Sequence, residues 1–232
     1  MARSAPCPQC VLAPQCPLSL RSPHCQAWAT PRSHPRGSLL LLEGERATTL
    51  LFVKSGLLAI RQTGPDGVDR AIAVVGPGFL LGQAPHKPSL ISAQALVPVS
   101  LCELPATLLR RPDPSCSPEP GDLEHYADQS IAALAAWSHL MRMPGLTQRL
   151  ASALRLIAAS QSRLSVQLPS QTLLAELLCV TRESINRVWR EFEARGVVSR
   201  RHGHAVDLDL CALARLSQQP GRREPPLSRA VS

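Results

Sequence analysis

Cysteine is the residue type whose number and spacing most strongly suggest chemistry in this sequence. The chain holds eight cysteines, and four of them fall within the first 25 residues. Those four are Cys7, Cys10, Cys16 and Cys25, and the others are Cys102, Cys116, Cys179 and Cys211. Crowded thiols in a reducing compartment favour metal binding or redox chemistry over a disulfide framework.

A second set of side chains has the chemistry to read a nucleic acid. Residues 168–196 predict two helices joined by a short turn, with Ser170 and Thr181 as the residues that cap them. In the second helix one arc is apolar, formed by Ile185, Val188, Trp189 and Phe192. The opposite arc is polar, formed by Arg182, Glu183, Asn186, Arg187 and Arg190. Gly196 is placed to end this helix.

The polar arc offers two kinds of base recognition side by side. An arginine can bond both O6 and N7 of guanine, and a carboxylate can accept from cytosine N4. Residues 197–208 follow as a predicted β-hairpin, so the whole segment predicts a winged helix-turn-helix. Any surface helix also carries charges on its outer side, and the periodicity alone leaves both interpretations open.

Composition restricts the classes of protein to which the chain can belong. Of the 232 residues 44% are hydrophobic, which is enough for a core, and the formal net charge is +8, which suits a polyanionic partner. Aromatic residues are only 3% of the chain, which disfavours a base-stacking surface for single strands. No apolar run is long enough for a membrane span and the N-terminus lacks a secretory signal, so we expect a cytoplasmic protein.

The elements that must position these residues follow in five segments. Short apolar runs separated by Gly, Pro and Asp turns predict a β-barrel or jelly roll, and they cover residues 39–42, 50–53, 57–62 and 71–75. The predicted segments are a cysteine-rich cap (1–36), the barrel (37–118), a long helix (119–145), the winged helix-turn-helix (146–215) and a disordered tail (216–232).

The long helix carries a seam of apolar or small side chains at steps of four and three. Its members are Leu123, Ala127, Ser130, Leu134, Trp137 and Met141. Such a stripe either packs into the core of its own chain or forms a dimer seam. Pro144 and Gly145 end the helix, and a second one is predicted at residues 146–160.

The segment 168–208 resembles the DNA-binding domain of the superfamily of the cyclic-AMP receptor and the fumarate–nitrate reduction regulator. Thr181-Arg182-Glu183-Ser184-Ile185-Asn186-Arg187 matches the recognition-helix pattern of that superfamily. The barrel is similar as well, with glycine turns at Gly37, Gly44 and Gly56. The resemblance implies an α+β fold: an N-terminal cyclic-nucleotide-binding-like jelly roll, a long dimerisation helix and a C-terminal winged helix-turn-helix. It also implies a homodimer on palindromic double-stranded DNA. The DNA-binding residues are then Arg182, Glu183, Asn186 and Arg187 of the polar arc, together with Thr181 and Ser170.

The cysteines match the fumarate–nitrate branch of this superfamily. Cys7-x2-Cys10-x5-Cys16 resembles the spacing of that branch, and Leu101-Cys102-Glu103-Leu104-Pro105 resembles the strand that supplies its fourth ligand. The resemblance implies an oxygen-responsive regulator with a [4Fe–4S] cluster on Cys7, Cys10, Cys16 and Cys102. A four-cysteine zinc site and a thiol–disulfide switch remain alternatives, and Cys25 or Cys116 remain possible substitutes for one ligand.

Two further expectations follow from the resemblance. The members that bind cyclic AMP carry an Arg-Ser/Thr pair for the phosphate, whereas here Ile91 precedes Ser92, so we expect no cyclic-AMP binding. The hairpin at residues 64–69 is a candidate contact for RNA polymerase by analogy. The sequence also lacks a P-loop, a G-x-S-x-G and an H-E-x-x-H, so neither an enzyme nor an iron–sulfur electron carrier is favoured over a regulator.

Overall fold

The computed structural model describes Cys10, Leu12, Cys16 and residues 29–82, 87–106, 120–161, 166–201 and 205–218. Eight strands come first: β1 (Thr30–His34), β2 (Leu39–Leu41), β3 (Thr49–Ser55), β4 (Leu58–Thr63), β5 (Asp69–Val75), β6 (Leu80–Leu81), β7 (Ser92–Ala95) and β8 (Val99–Pro105). They are followed by α1 (Pro120–Met141), α2 (Leu146–Ala159), β9 (Val166–Gln167), α3 (Gln171–Leu177), α4 (Arg182–Ala194), β10 (Val198–Arg200), β11 (Ala205–Leu208) and α5 (Leu210–Gln218).

The eight N-terminal strands form two four-stranded antiparallel sheets. One sheet has the order β1-β8-β3-β6 and the other has the order β2-β7-β4-β5. Both contribute side chains to one core, for example Val53 and Leu101 from the first and Ile60 and Ala73 from the second. This arrangement confirms the predicted jelly roll. Gly56 allows the tight β3–β4 turn, because its φ of +95° suits glycine and a Cβ there would lie 2.6 Å from the Pro98 carbonyl oxygen.

The barrel begins earlier than the sequence predicts. Strand β1 lies inside the segment assigned to the cap, and it pairs with β8 so that Pro31 is the partner of Cys102. The strand escaped prediction because it is polar and contains a proline, which is tolerated here because β1 is the edge of its sheet. The boundary between cap and barrel therefore moves from residue 37 to residue 30.

Helix α1 has one face on the barrel and another directed outward. The inner face includes Tyr126, Trp137 and Leu140, which are all buried. The Trp137 indole Nε1 donates to the Val74 carbonyl oxygen of β5 at 3.2 Å. Trp137 therefore packs on its own barrel and is only 4% exposed, which leaves little of its side chain for the dimer seam that the sequence predicts. Met141 is half-buried against the same core.

The C-terminal part is a helix-turn-helix followed by a three-stranded sheet. Strand β11 pairs with β10 on one side and with β9 on the other, which confirms the predicted hairpin and adds β9 to it. Helix α5 extends to Gln218, so the first residues of the predicted disordered tail are helical. Leu213 and Leu216 are buried, and α5 packs on α2, which explains why the helix continues. Residues 219–232 lie outside the described residues.

No helix in the described parts of the chain is long and apolar enough to cross a membrane.

Candidate nucleic-acid interface and cysteine site

Both helices of the helix-turn-helix begin at the predicted capping residues. The Ser170 hydroxyl accepts from the backbone N–H of Leu173, and the Thr181 hydroxyl accepts from that of Ser184, each at 3.2 Å. Each bond satisfies a backbone donor that has no partner within its helix. The turn between the helices includes Cys179 at a φ of +52°, an uncommon conformation for a residue other than glycine. The Cys179 side chain is exposed.

Helix α4 presents the predicted polar arc to solvent. Its apolar side is buried through Ile185, Val188, Trp189 and Phe192. Arg182, Glu183 and Arg187 are exposed and Asn186 is half-buried. A hydrogen bond from its own backbone N–H lowers the pKa of Glu183 below its ordinary value, so the carboxylate stays an acceptor at neutral pH.

The wing adds a basic side chain that the sequence analysis did not select. Arg200 of β10 lines a concave cleft together with Ser170, Arg182 and Asn186. The Arg200 Nε lies 2.6 Å from a carboxylate oxygen of Glu193, and the same oxygen accepts from the Trp189 indole at 2.9 Å. The contact from Arg200 holds the wing against α4, and the Trp189 indole orients the Glu193 carboxylate from within that helix. The partner of Arg200 lies on another element, so only the three-dimensional structure shows this contact.

The charge of Glu193 is stabilised by these contacts. Partial burial raises the pKa of this carboxyl, but the hydrogen bonds from Arg200 and Trp189 outweigh that effect, and the pKa of Glu193 lies below its ordinary value. Glu193 is therefore ionised at neutral pH and available to both donors.

Two of the predicted cysteine ligands lie in one apolar cluster beside the barrel. Cys102 on β8 is buried at 5% exposure, and Cys16 packs against the same small cluster. The cluster also contains Phe52 of β3 and Tyr126 of α1, whose rings meet edge to face with centroids 6.2 Å apart. The thiol site is thus in contact with the long helix.

The remaining predicted ligands are described only in part. Cys10 is half-buried, whereas Cys7, Cys25 and Cys116 lie outside the described residues. Among the described residues, no group of three or more His, Cys, Asp or Glu side chains is placed to hold a metal ion. The donors that meet at the apolar cluster are thiols, and thiolates shielded by apolar side chains are the ligands that iron–sulfur clusters take. The chemistry of this donor set fits such a cluster.

The outward face of α1 carries an apolar strip on the single chain. Ile131 is 66% exposed and Leu134 is 40% exposed, and Ala127 lies one turn before Ile131 on the same face. Ile131 is the residue that the sequence analysis missed, and Leu123 lies on α1 with its side chain outside the described set. Exposed large apolar side chains aligned on one helix face favour an interaction with a partner.

Comparison with protein families identifies both halves of the chain. Residues 31–111 match the cyclic nucleotide-binding domain family, and residues 148–216 match the Crp-like helix-turn-helix domain family. A search of curated proteins finds no significant match.

Solved structures share this fold at low sequence identity. TTHB099, a transcriptional regulator of the CRP family from Thermus thermophilus, is 20% identical, and the alignment covers 83% of this chain and 100% of that one with a TM-score of 0.65. FixK2 from Bradyrhizobium japonicum is 18% identical, with 82% and 98% covered and a TM-score of 0.67. The c-di-GMP responsive global regulator CLP of Xanthomonas campestris is 19% identical, with 78% and 94% covered and a TM-score of 0.58.

These matches agree with the geometry of the helix-turn-helix. Regulators with this domain bind DNA and typically dimerise. They are transcription regulators rather than enzymes, which agrees with the expectation of a regulator from the sequence. The chain is a DNA-binding transcription regulator of the CRP/FNR family, with an N-terminal cyclic nucleotide-binding domain and a C-terminal Crp-like helix-turn-helix.

Proposed function

We propose that this regulator responds to oxygen through a [4Fe–4S] cluster held by Cys7, Cys10, Cys16 and Cys102. The observation that carries the proposal is the apolar cluster in which Cys16 and Cys102 pack together with Tyr126 of α1. A sensor at this place acts on the helix that carries the exposed apolar strip. When bound, a [4Fe–4S] cluster would supply a centre that reacts with oxygen.

The protein's own residues transmit the state of the sensor. Phe52 is the strand partner of Cys102 in the β3–β8 pairing and contacts the Tyr126 ring. Ligation by Cys16 ties the N-terminal segment to this patch and so stabilises the packing of Tyr126 on the barrel. Because Ala127 follows Tyr126 on the outward side, any shift of the inner face also moves the apolar strip.

The apolar strip is the proposed contact between two copies of this chain. Pairing Ala127, Ile131 and Leu134 across a two-fold axis removes exposed apolar surface from water. A symmetric dimer then presents two α4 helices to successive major grooves of a near-palindromic site. The energetic requirement is a difference of a few kcal/mol between two dimer arrangements.

We also propose that the barrel does not use cyclic AMP. Ser92 occupies the position expected to hold a phosphate, yet its hydroxyl accepts from the backbone N–H of Glu43 at 2.9 Å. Ile91 precedes it and supplies no charge, and a buried phosphate needs a charge-assisted partner. The β4–β5 hairpin at residues 64–69 is the proposed contact with RNA polymerase, and the proposed compartment is the cytoplasm.

Single-cysteine variants test the sensor. Cys7→Ala, Cys10→Ala, Cys16→Ala and Cys102→Ala, purified without oxygen, should each lose iron, the visible absorption band, and affinity for DNA together. Cys211→Ala is the matched control, because Cys211 is an exposed thiol on α5, and it should keep all three.

Other results would redirect the proposal. A full iron content in Cys102→Ala together with its loss in Cys25→Ala would replace the fourth ligand. One tightly held zinc per chain, or a disulfide formed in air without iron, would favour the structural-zinc or thiol-switch alternative.

A further inference from the structure

Strand β5 is the edge of its sheet, and the helices attach to the barrel along it. An edge strand leaves some backbone N–H and C=O groups without a strand partner. On β5 the Val74 carbonyl oxygen accepts from Trp137 of α1, and the Ala71 N–H donates to the Glu176 carboxylate of α3 at 2.7 Å. The Glu176 carboxylate therefore attaches α3 of the helix-turn-helix to the barrel by a hydrogen bond.

Arg61 reinforces this attachment from the neighbouring strand β4. Its guanidinium donates to both carboxylate oxygens of Glu176, at 2.8 and 3.4 Å, and its Nε donates to Asp69 at 2.6 Å. The side chain of Arg61 is only 18% exposed, so solvent screens the pair less than an open surface pair. A bidentate arginine also fixes the orientation of the carboxylate.

The backbone of Glu176 takes part in the turn that sets the recognition helix. Its carbonyl oxygen accepts from the N–H of Cys179, and the Val180 N–H donates to the carbonyl oxygen of Ala175, both within the turn that precedes α4. Arg149 of α2 donates to the Leu178 carbonyl oxygen at 3.0 Å and holds the turn from the other side. Because these hydrogen bonds join Glu176 to the start of α4 over a few residues, the position of the Glu176 side chain on the barrel determines the position of α4.

We infer that Glu176, held by Arg61 and by the Ala71 amide, is a positioning residue that fixes the angle between the barrel and the recognition helix and so sets the half-site spacing that the dimer accepts. The inference rests on the proposed dimeric reading of two half-sites. In a dimer the barrels and α1 helices define the two-fold axis, so the barrel-to-α4 angle determines the separation of the two α4 helices. Moving one half-site by one base pair shifts it by about 3.4 Å and turns it by about 34°.

DNA binding by the full chain to a series of palindromes tests this role. The half-sites stay constant, and the spacer is shortened or lengthened by one and two base pairs. Wild type should lose at least about tenfold in affinity per base pair of mis-spacing, similar to the loss of one matched base pair. Glu176→Ala should reduce that loss to less than about threefold, and Glu176→Gln, which can still accept from Ala71, should be intermediate.

Two controls separate positioning from general damage. Asp66→Asn breaks an exposed ion pair with Arg70 in the same hairpin without touching α3 and should keep the spacing preference of wild type. Preference for bases within one half-site should also stay the same in every variant, because Glu176 lies outside the polar arc of α4. Alanine is favourable inside a helix, so α3 is expected to form in Glu176→Ala.

The remaining outcomes are decisive. If Glu176→Ala keeps the wild-type spacing preference, or loses affinity equally at every spacing, the positioning role is wrong. If wild type itself has no spacing preference, the proposed dimeric reading fails and the inference fails with it.

Discussion

The exposed strip on α1 yields a quantitative prediction for the dimer. Ile131→Ala removes three carbons from each subunit, worth about 2.4 kcal/mol if the side chain were wholly buried by the partner. Ile131 is 66% exposed in the single chain, so the partner can cover about two-thirds of it, or roughly 1.6 kcal/mol per subunit. Two copies meet in a two-fold dimer, which gives about 3 kcal/mol and a roughly 100-fold rise in Kd.

Analytical ultracentrifugation over a range of protein concentrations measures this Kd directly. Val68→Ala is the matched control, because Val68 is 48% exposed but lies on the hairpin between β4 and β5, outside α1. Its dimer Kd should stay within about twofold of wild type. A dimeric wild type whose Kd changes less than about threefold in Ile131→Ala would show that the subunits meet on another face. A wild type that stays monomeric at all concentrations would refute the dimer.

Three more predictions follow from individual contacts. Arg182→Ala should cost about 1–3 kcal/mol in DNA binding and relax one base position, whereas an equal loss on all sequences in a competition assay would show a phosphate contact. Trp137→Phe leaves the Val74 carbonyl oxygen without its donor and should lower the free energy of unfolding, measured in urea, by about 1–3 kcal/mol. The dimer Kd should not change, and a changed Kd would show that Trp137 lies in the dimer seam. Glu193→Gln should be less stable than wild type above about pH 5, by less than about 1 kcal/mol because the pair with Arg200 is partly exposed. Because the pKa of Glu193 is lowered in the folded state, this difference should shrink as the pH falls through that pKa, and a difference that does not shrink on acidification would contradict the assignment.

The helix-turn-helix could be predicted closely because its signals are local. Ser170 and Thr181 cap the helices as expected, and the apolar arc that ends at Phe192 is buried. Gly196, at a φ of +68°, follows the end of α4 in the position predicted for it. Capping, periodicity and a terminal glycine are properties of a few neighbouring residues, so sequence alone contains them.

The faces of α1 could not be predicted because they depend on what each face meets. Steps of three and four run along the predicted seam from Ala127 through Leu134 to Trp137. Steps of the same size also connect Tyr126 to Trp137. A helix with apolar residues on two sides fits more than one predicted seam. In the structure the barrel packs against the side that holds Trp137. Strand β1 was missed for a similar reason, because its pairing with β8 rather than its own alternation makes it a strand.

Contacts between distant segments left no signal in the sequence. Arg61 and Glu176 are 115 residues apart, and neither has a neighbouring pattern that marks it for the other. Arg200 and Glu193 are closer in sequence, but they meet only because the hairpin folds back on α4. The ligand set was predicted because the spacing of the cysteines resembles that of the fumarate–nitrate branch. The structure places Cys16 and Cys102 at one apolar cluster.

We propose that oxygen controls DNA binding through a cluster on Cys7, Cys10, Cys16 and Cys102. The most direct measurement combines iron, sulfide and zinc analysis of anaerobically purified protein with its affinity for a palindromic site before and after exposure to air. The proposal predicts brown protein with about four irons and four sulfides per chain when every site is filled, and a loss of affinity in air. Colourless protein with one zinc per chain and the same affinity in air and without it would contradict the claim.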